Sequence, residues 1–176
     1  VRLPEPNRPA APTQIRQLAE YAAAQPDFIE TFLALPRSAA DEELFNVVLS
    51  VSRMALAAHP GYADLHYYAG RTLERLGRPD AAVKQIRRAV RINPCYVKAL
   101  LALGKLYEAR RQNGRAIVCL RRAVRSGADY ADVHACLGDL LSGIGRRLEA
   151  ERHYRRALEL NGGYERAATG LSRVAA

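Results

Sequence analysis

The chain has no Trp, one Met, 3 Phe and 3 Cys among its 176 residues. Each scarcity excludes something. No apolar run approaches the ~20 residues of a membrane-spanning helix, and the opening lacks a signal-peptide pattern. Cys95, Cys119 and Cys136 are odd in number and show no CxxC or other metal spacing. They predict thiols in a reducing compartment, the cytoplasm, and no metal site. Also missing are a Gly-rich phosphate loop, a nucleophile elbow and carboxylates paired in a cleft. His59 precedes a proline, and His153 lies in an Arg-rich stretch. The expectation is a non-enzyme that needs no cofactor.

What is present is a period. Tyr62, Tyr96, Tyr130 and Tyr164 stand 34 residues apart. Gly70, Gly104 and Gly138 keep the same step, as do Ala82, Ala116 and Ala150, and Ala89, Ala123 and Ala157. Each unit holds two apolar-periodic segments of helical length. Polar turns divide them at Gly77-Arg78-Pro79-Asp80, Gln112-Asn113-Gly114 and Gly143-Ile144-Gly145-Arg146. Gly ends a first helix, and Pro79 suits the first turn of a second. A Gly inside a helix costs roughly 1 kcal/mol against Ala. Kept at one column, it reads as a point of close helix approach. One unit cannot bury its apolar face alone, so neighbours must stack. His66 and His134 share a column and read as packing residues.

These columns resemble the tetratricopeptide repeat, W-x2-L-G-x2-Y…A-x3-F…A…P. The first unit matches at His66, Ala69, Gly70, Leu73, Ala82, Ile86, Ala89 and Pro94. The second matches at Leu100, Leu103, Gly104, Tyr107, Ala116, Leu120, Ala123 and Ala128, and the third at His134, Leu137, Gly138, Leu141, Ala150, Tyr154, Ala157 and Gly162. No unit has the Trp, and only the first keeps the closing Pro. The resemblance is clear over residues 61–176 and weak over 28–60. It implies an all-α fold, a right-handed α-solenoid of helix-turn-helix repeats with terminal capping helices. It also implies a protein–protein interaction scaffold, an accessory module that holds a peptide or partner helix in a concave groove.

In that family the residues around the central Gly face the groove. Here they are Asp64, Tyr67, Tyr68 and Arg71, then Lys98, Leu101, Ala102 and Lys105, then Asp132, Ala135, Cys136 and Asp139, with Arg166 from the terminal helix. Tyr67 and Tyr68 are adjacent on a helix, so one of them packs. Tyr, Arg and Lys together suit a protein or peptide partner with an acidic stretch. Cys119 reads as a small hydrophobe, and for Cys136 an inert thiol outranks a reactive one. Family members that clamp a C-terminal carboxylate use basic and Asn residues at fixed places. Tyr67, Arg71, Ala102, Asp132 and Cys136 stand there instead, so the clamp is essentially missing.

Residues 1–12 carry Pro4, Pro6, Pro9 and Pro12, a spacing that forbids a helix and reads as a linker or tail. Residues 13–60 are expected to hold capping helices with a degenerate repeat. Residues 14–24 form the cap after Thr13 as N-cap, 28–35 a first helix stopped by Pro36, and 44–58 a second helix after Asp41-Glu42-Glu43. Phe28, Ala55 and Pro60 lie 34 before Tyr62, Ala89 and Pro94. Residues 61–176 hold three units and a solvating helix over 165–175, with Ala168, Leu171 and Val174 inward.

Charge is unevenly spread. Residues 1–60 carry 5 Arg against 7 Asp or Glu, and residues 61–176 carry 22 Lys or Arg against 11, within a net +9. Arg87, Arg88 and Arg91, then Arg121, Arg122 and Arg125, then Arg155 and Arg156 recur in step. Late on the second helices, they would line up as a basic ridge. An alternative function is binding of an anionic polymer there, nucleic acid or an acidic surface. A solvated face ranks first for the ridge, because Arg stems cover apolar surface and no aromatics interleave. Self-association is a further alternative. The Arg- and Ala-rich composition looks bacterial.

Overall fold

A computed structural model describes residues 12–34 and 42–175. The expectations for residues 1–11, Leu35, Pro36 and Asp41 lie outside them. Among the described residues the chain is ten helices with no strand. They are α1 Pro12–Ala24, α2 Phe28–Leu33, α3 Glu42–Ala58, α4 Ala63–Arg75, α5 Pro79–Ile92, α6 Val97–Ala109, α7 Asn113–Arg125, α8 Ala131–Gly143, α9 Arg147–Leu160 and α10 Glu165–Ala175. The first helices α4, α6, α8 and α10 and the second helices α5, α7 and α9 each recur every 34 residues. The helices gather into two compact units, Val1–Pro94 and Cys95–Ala176.

Local signals end the first helices better than they begin them. Tyr62, Tyr96 and Tyr130 occupy N-cap positions with extended backbone and no side-chain cap. A Tyr has no short oxygen to reach the open amides, so packing must hold these starts. The ends share one device. Gly77, Arg111 and Gly145 have φ of 68, 56 and 79°. The amides of Arg78, Gln112 and Arg146 then reach back to the carbonyls of Leu73, Tyr107 and Leu141 at 2.8, 2.9 and 2.9 Å. This is the Schellman closure, which favours Gly at its left-handed position. The second turn therefore lies over residues 110–112, ahead of the expected Gln112-Asn113-Gly114, and Arg111 takes the place of a glycine.

Each hairpin closes on a glycine. A Cβ on Gly70 would sit 2.3 Å from Ile86 Cγ1, on Gly104 2.7 Å from Leu120 Cδ2, and on Gly138 2.5 Å from Tyr154 Cε1. Overpacking at such a point costs about 1–3 kcal/mol. Around each bulky residue the buried alanines stand four before and three after, Ala82 and Ala89 about Ile86 being the first pair. That spacing puts small, large and small side chains on one helix face.

In the unit Val1–Pro94, α3 packs against α1 and α4, and α5 packs against α4. Phe45, Leu49, Leu65 and Tyr68 lie in its core, with Ala55 buried at the column of Ala89. Two residues of α4 hold the short α2. The Tyr68 hydroxyl donates to Asp27 Oδ1 and lies 3.0 Å from Glu30 Oε2. Arg75 Nη1 donates to the Leu33 carbonyl at 3.3 Å, and its guanidinium lies 4.9 Å from the Phe45 ring centroid.

In the unit Cys95–Ala176, the α6–α7 and α8–α9 hairpins are followed by α10, which packs on α9 and α8. The inner face of α10 differs from expectation. Ala167 and Gly170 are buried, Leu171 and Val174 are half-buried, and Ala168 is exposed. Ala168 stands at the column of His66, Leu100 and His134, which a second helix covers in each repeat. No second helix follows α10 among the described residues. A Cβ on Gly170 would sit 2.3 Å from Tyr154 Cε1, so the Tyr154 ring is held between Gly138 and Gly170.

Arg111 holds a side chain where the left-handed backbone costs an L-residue roughly 1–2 kcal/mol. Arg111→Gly removes that cost and adds some unfolded-state entropy, for a net gain of about 0.5–1 kcal/mol. The expected result is a melting temperature a few degrees higher. A melting temperature unchanged or lower would show that this turn carries no strain.

Candidate functional site

Within the unit Cys95–Ala176, hydrogen bonds bring residues of three first helices onto one face. On α8, Asp139 follows Gly138 and accepts two bonds. The Tyr154 hydroxyl donates to Oδ1 at 2.6 Å, and Arg166 Nε from α10 donates to Oδ2 at 2.6 Å. One turn earlier, the Cys136 thiol donates to Glu108 Oε2 of α6 at 3.4 Å. Glu108, Cys136, Asp139 and Arg166 thus form a polar row across α6, α8 and α10. Tyr154 reaches it from the second helix, because two glycines leave room for its ring.

This row is chemically quiet. Burial first, then the Glu108 carboxylate, pushes the Cys136 thiol up to about 12. It stays protonated near neutral pH and is a poor nucleophile. Burial and the Asp139 carboxylate also raise the Tyr154 phenol above its ordinary value. Beside the row, Lys98, Leu101 and Lys105 recur at i, i+3 and i+7 on α6, one helix face. The two lysines are exposed and Leu101 is half-buried, whereas Ala102 is buried.

In the unit Val1–Pro94, Tyr67 and Tyr68 are both buried, although the sequence predicts that only one of the two packs. Tyr67 is 5% exposed and Tyr68 0%. Tyr68 packs with its hydroxyl on α2, and burial raises its pKa. Adjacent helical residues point about a quarter-turn apart, and α2 covers the direction that Tyr68 takes. The Tyr67 hydroxyl accepts from Arg71 Nη1 at 3.2 Å, while Arg71 Nε lies 3.0 Å from Glu74. Sequence reasoning missed Glu74 and Glu108. They stand one period apart, and that fifth column was there to be found.

The second helices carry the arginines of the expected ridge, in two different states. On α5, Arg87, Arg88 and Arg91 are exposed and have no ion-pair partner among the described residues. In the other unit, Arg121 pairs with Glu149, Arg155 with Glu151, and Arg156 with both Asp129 and Glu159. Arg122 is half-buried and Arg125 exposed.

The histidine column joins first helices to second helices. His66 Nδ1 lies 2.8 Å from Gln85 Oε1, and Nε2 3.0 Å from the Pro60 carbonyl. His134 Nε2 lies 2.8 Å from Asp129 Oδ1, and Nδ1 2.9 Å from His153 Nδ1. With Nε2–H donating to the carboxylate, neutral His134 accepts at Nδ1 and His153 donates. Burial first, then repulsion from the His134 ring when it carries a proton and from the Arg121 guanidinium, pushes the His153 pKa down to about 4.

Residues 63–106 match the family model of the tetratricopeptide repeat. Among curated proteins none matches the chain in sequence. Among solved structures, the MamA protein has a TM-score of 0.69 at 19% identity, covering 92% of this chain and 79% of that one. YrrB, described as a tetratricopeptide repeat protein with an unusual peptide-binding site, has a TM-score of 0.64 at 19% identity, covering 70% and 63%. The first repeat domain of Spaghetti (RPAP3), solved with the HSP90 peptide SRMEEVD, has a TM-score of 0.58 at 18% identity, covering 64% and 90%. At these identities the likeness shows the fold, an all-α helical repeat.

The histidine pair makes stability depend on pH. The folded pKa of His153, about 4, lies below its ordinary 6.5, so the unfolded chain takes up a proton that the folded chain refuses. Stability should be full above about pH 6.5 and fall as pH drops toward 4. Asp129, held low by Arg156 and then His134, loses its contribution only at more acidic pH. Urea melts between neutral pH and the lower end of that window should show the decline, and His153→Gln should flatten it. Equal slopes for the two proteins would show that His153 ionises as it does in water.

Proposed function

The chain belongs to the tetratricopeptide repeat proteins, and from that premise we propose that it is a protein-interaction scaffold holding a peptide segment on the face of α6, α8 and α10. The carrying observation is the Lys98, Leu101 and Lys105 stripe beside the row from Cys136 to Arg166. Leu101 offers an apolar contact, and Lys105 an exposed ammonium. Glu108 and Asp139 are already engaged by Cys136, Tyr154 and Arg166, so the face favours an acidic segment, extended or helical. The Tyr67, Arg71 and Glu74 edge of α4 is a second surface of the same kind. The peptide-binding descriptions of YrrB and of the Spaghetti domain support this reading. The protonated Cys136 thiol favours binding over catalysis. The odd number of cysteines, without metal spacing, favours a reducing compartment such as the cytoplasm. No described helix is long and apolar enough to cross a membrane.

Two measurements test it. Lys105→Glu combined with Arg166→Gln should abolish capture of a protein partner from nuclease-treated lysate at high salt. Circular dichroism should stay unchanged, and undiminished capture would sink the reading. The second concerns the kind of peptide. Ala102, Asp132 and Cys136 leave no carboxylate clamp, so titration calorimetry with SRMEEVD should show a Kd weaker than about 1 mM. Micromolar binding would mean that other residues rebuild the clamp.

A further inference from the structure

The cleft between α3 and α5, in the unit Val1–Pro94, is a separate feature. It has a volume of about 460 Å³. Its aliphatic floor includes Leu56 of α3 and Ile92 of α5, and Ile92 is 42% exposed. Arg53 stands on one wall, Arg88 and Arg91 on the other. None of these three guanidiniums has an ion-pair partner among the described residues, and no Asp or Glu lines the cleft. Its back wall needs nothing further, since His66 is satisfied by Gln85 and Pro60.

The corresponding cleft in the other unit is built differently. It is lined by Val118, Arg121, Val124, Arg125 and His153, and Arg121 is bonded to Glu149. There the Glu149 carboxylate holds Arg121, whereas no carboxylate holds Arg53, Arg88 or Arg91 among the described residues. Three like charges around an open apolar floor repel one another and attract an anion that also carries apolar surface.

We propose that the α3–α5 cleft binds an acidic amphipathic peptide, with an aliphatic side chain on Leu56 and Ile92 and carboxylates on Arg53, Arg88 and Arg91. Arg88 and Arg91 are three apart on α5, a spacing that meets carboxylates one turn apart on a helical ligand. A nucleic acid fits less well, because the floor has no aromatic face on which a base could stack. The site is independent of the α6, α8 and α10 face.

The probe is a fluorescein-labelled helical peptide with Leu and Glu on one face, followed by anisotropy. The protein should bind it, and Arg53→Gln, Arg88→Gln and Arg91→Gln together should weaken binding by about tenfold or more. Ile92→Ser, or Ser for Leu in the peptide, should also weaken it. Lys105→Glu should leave it unchanged, which separates this site from the face proposed above. All these positions are exposed or half-buried, and circular dichroism verifies the fold of each variant. Absent binding, or binding indifferent to the three arginines, overturns the proposal. A single-stranded oligonucleotide that displaces the peptide and ignores Ile92→Ser also overturns it, in favour of a polyanion site.

Discussion

The approach of a first-helix glycine to a bulky side chain of the second helix is the contact on which the hairpins depend. At Gly70, Gly104 and Gly138 there is no room for even one more carbon. That closeness requires the alanines above and below the bulky residue, and it brings the ends of the helices near enough for a tight turn. The glycine weakens its own helix, so it is tolerable only because packing returns more than propensity loses. The uncapped starts at Tyr62, Tyr96 and Tyr130 show the same dependence, since these helices begin where their partners hold them.

The same contact reaches the candidate site. In two hairpins the bulky residue is aliphatic, Ile86 or Leu120, and the contact ends in the core. In the third it is Tyr154, whose ring lies between two glycines and whose hydroxyl emerges to hold Asp139. Asp139 in turn fixes Arg166 of the terminal helix. A packing solution and a surface arrangement are therefore one structure at this point.

Charge follows a different logic. The ion pairs of Arg121, Arg155 and Arg156 are partly exposed, and such pairs each contribute about 0–1 kcal/mol. Their consequence lies in recognition. A guanidinium that already holds a carboxylate offers little to an incoming anion, and one without a partner offers a full charge. Arg87, Arg88 and Arg91 are of the second kind, although the sequence pattern makes Arg87 look the same as Arg121.

The period by itself determined the helices and their order. Spacing of 34 residues placed the first helices, the close-packing glycines, the alanine faces and the solvating helix, because each depends only on residues within one unit or one step. It also separated the packing histidines from any ligand set. The tertiary structure decided the rest. Tyr68 is hidden because α2 lies over it, and nothing in its own repeat says so. Arg111 sits in a left-handed turn because the hairpin geometry demands one there, whatever residue the sequence supplies. Ala168 is exposed where its column is otherwise buried, since no second helix covers α10 among the described residues. Which arginines are neutralised was also invisible, as Arg156 and Asp129 meet across 27 positions. A repeat pattern reports what each position shares with its equivalents; burial and charge pairing depend on neighbours that differ between one repeat and the next.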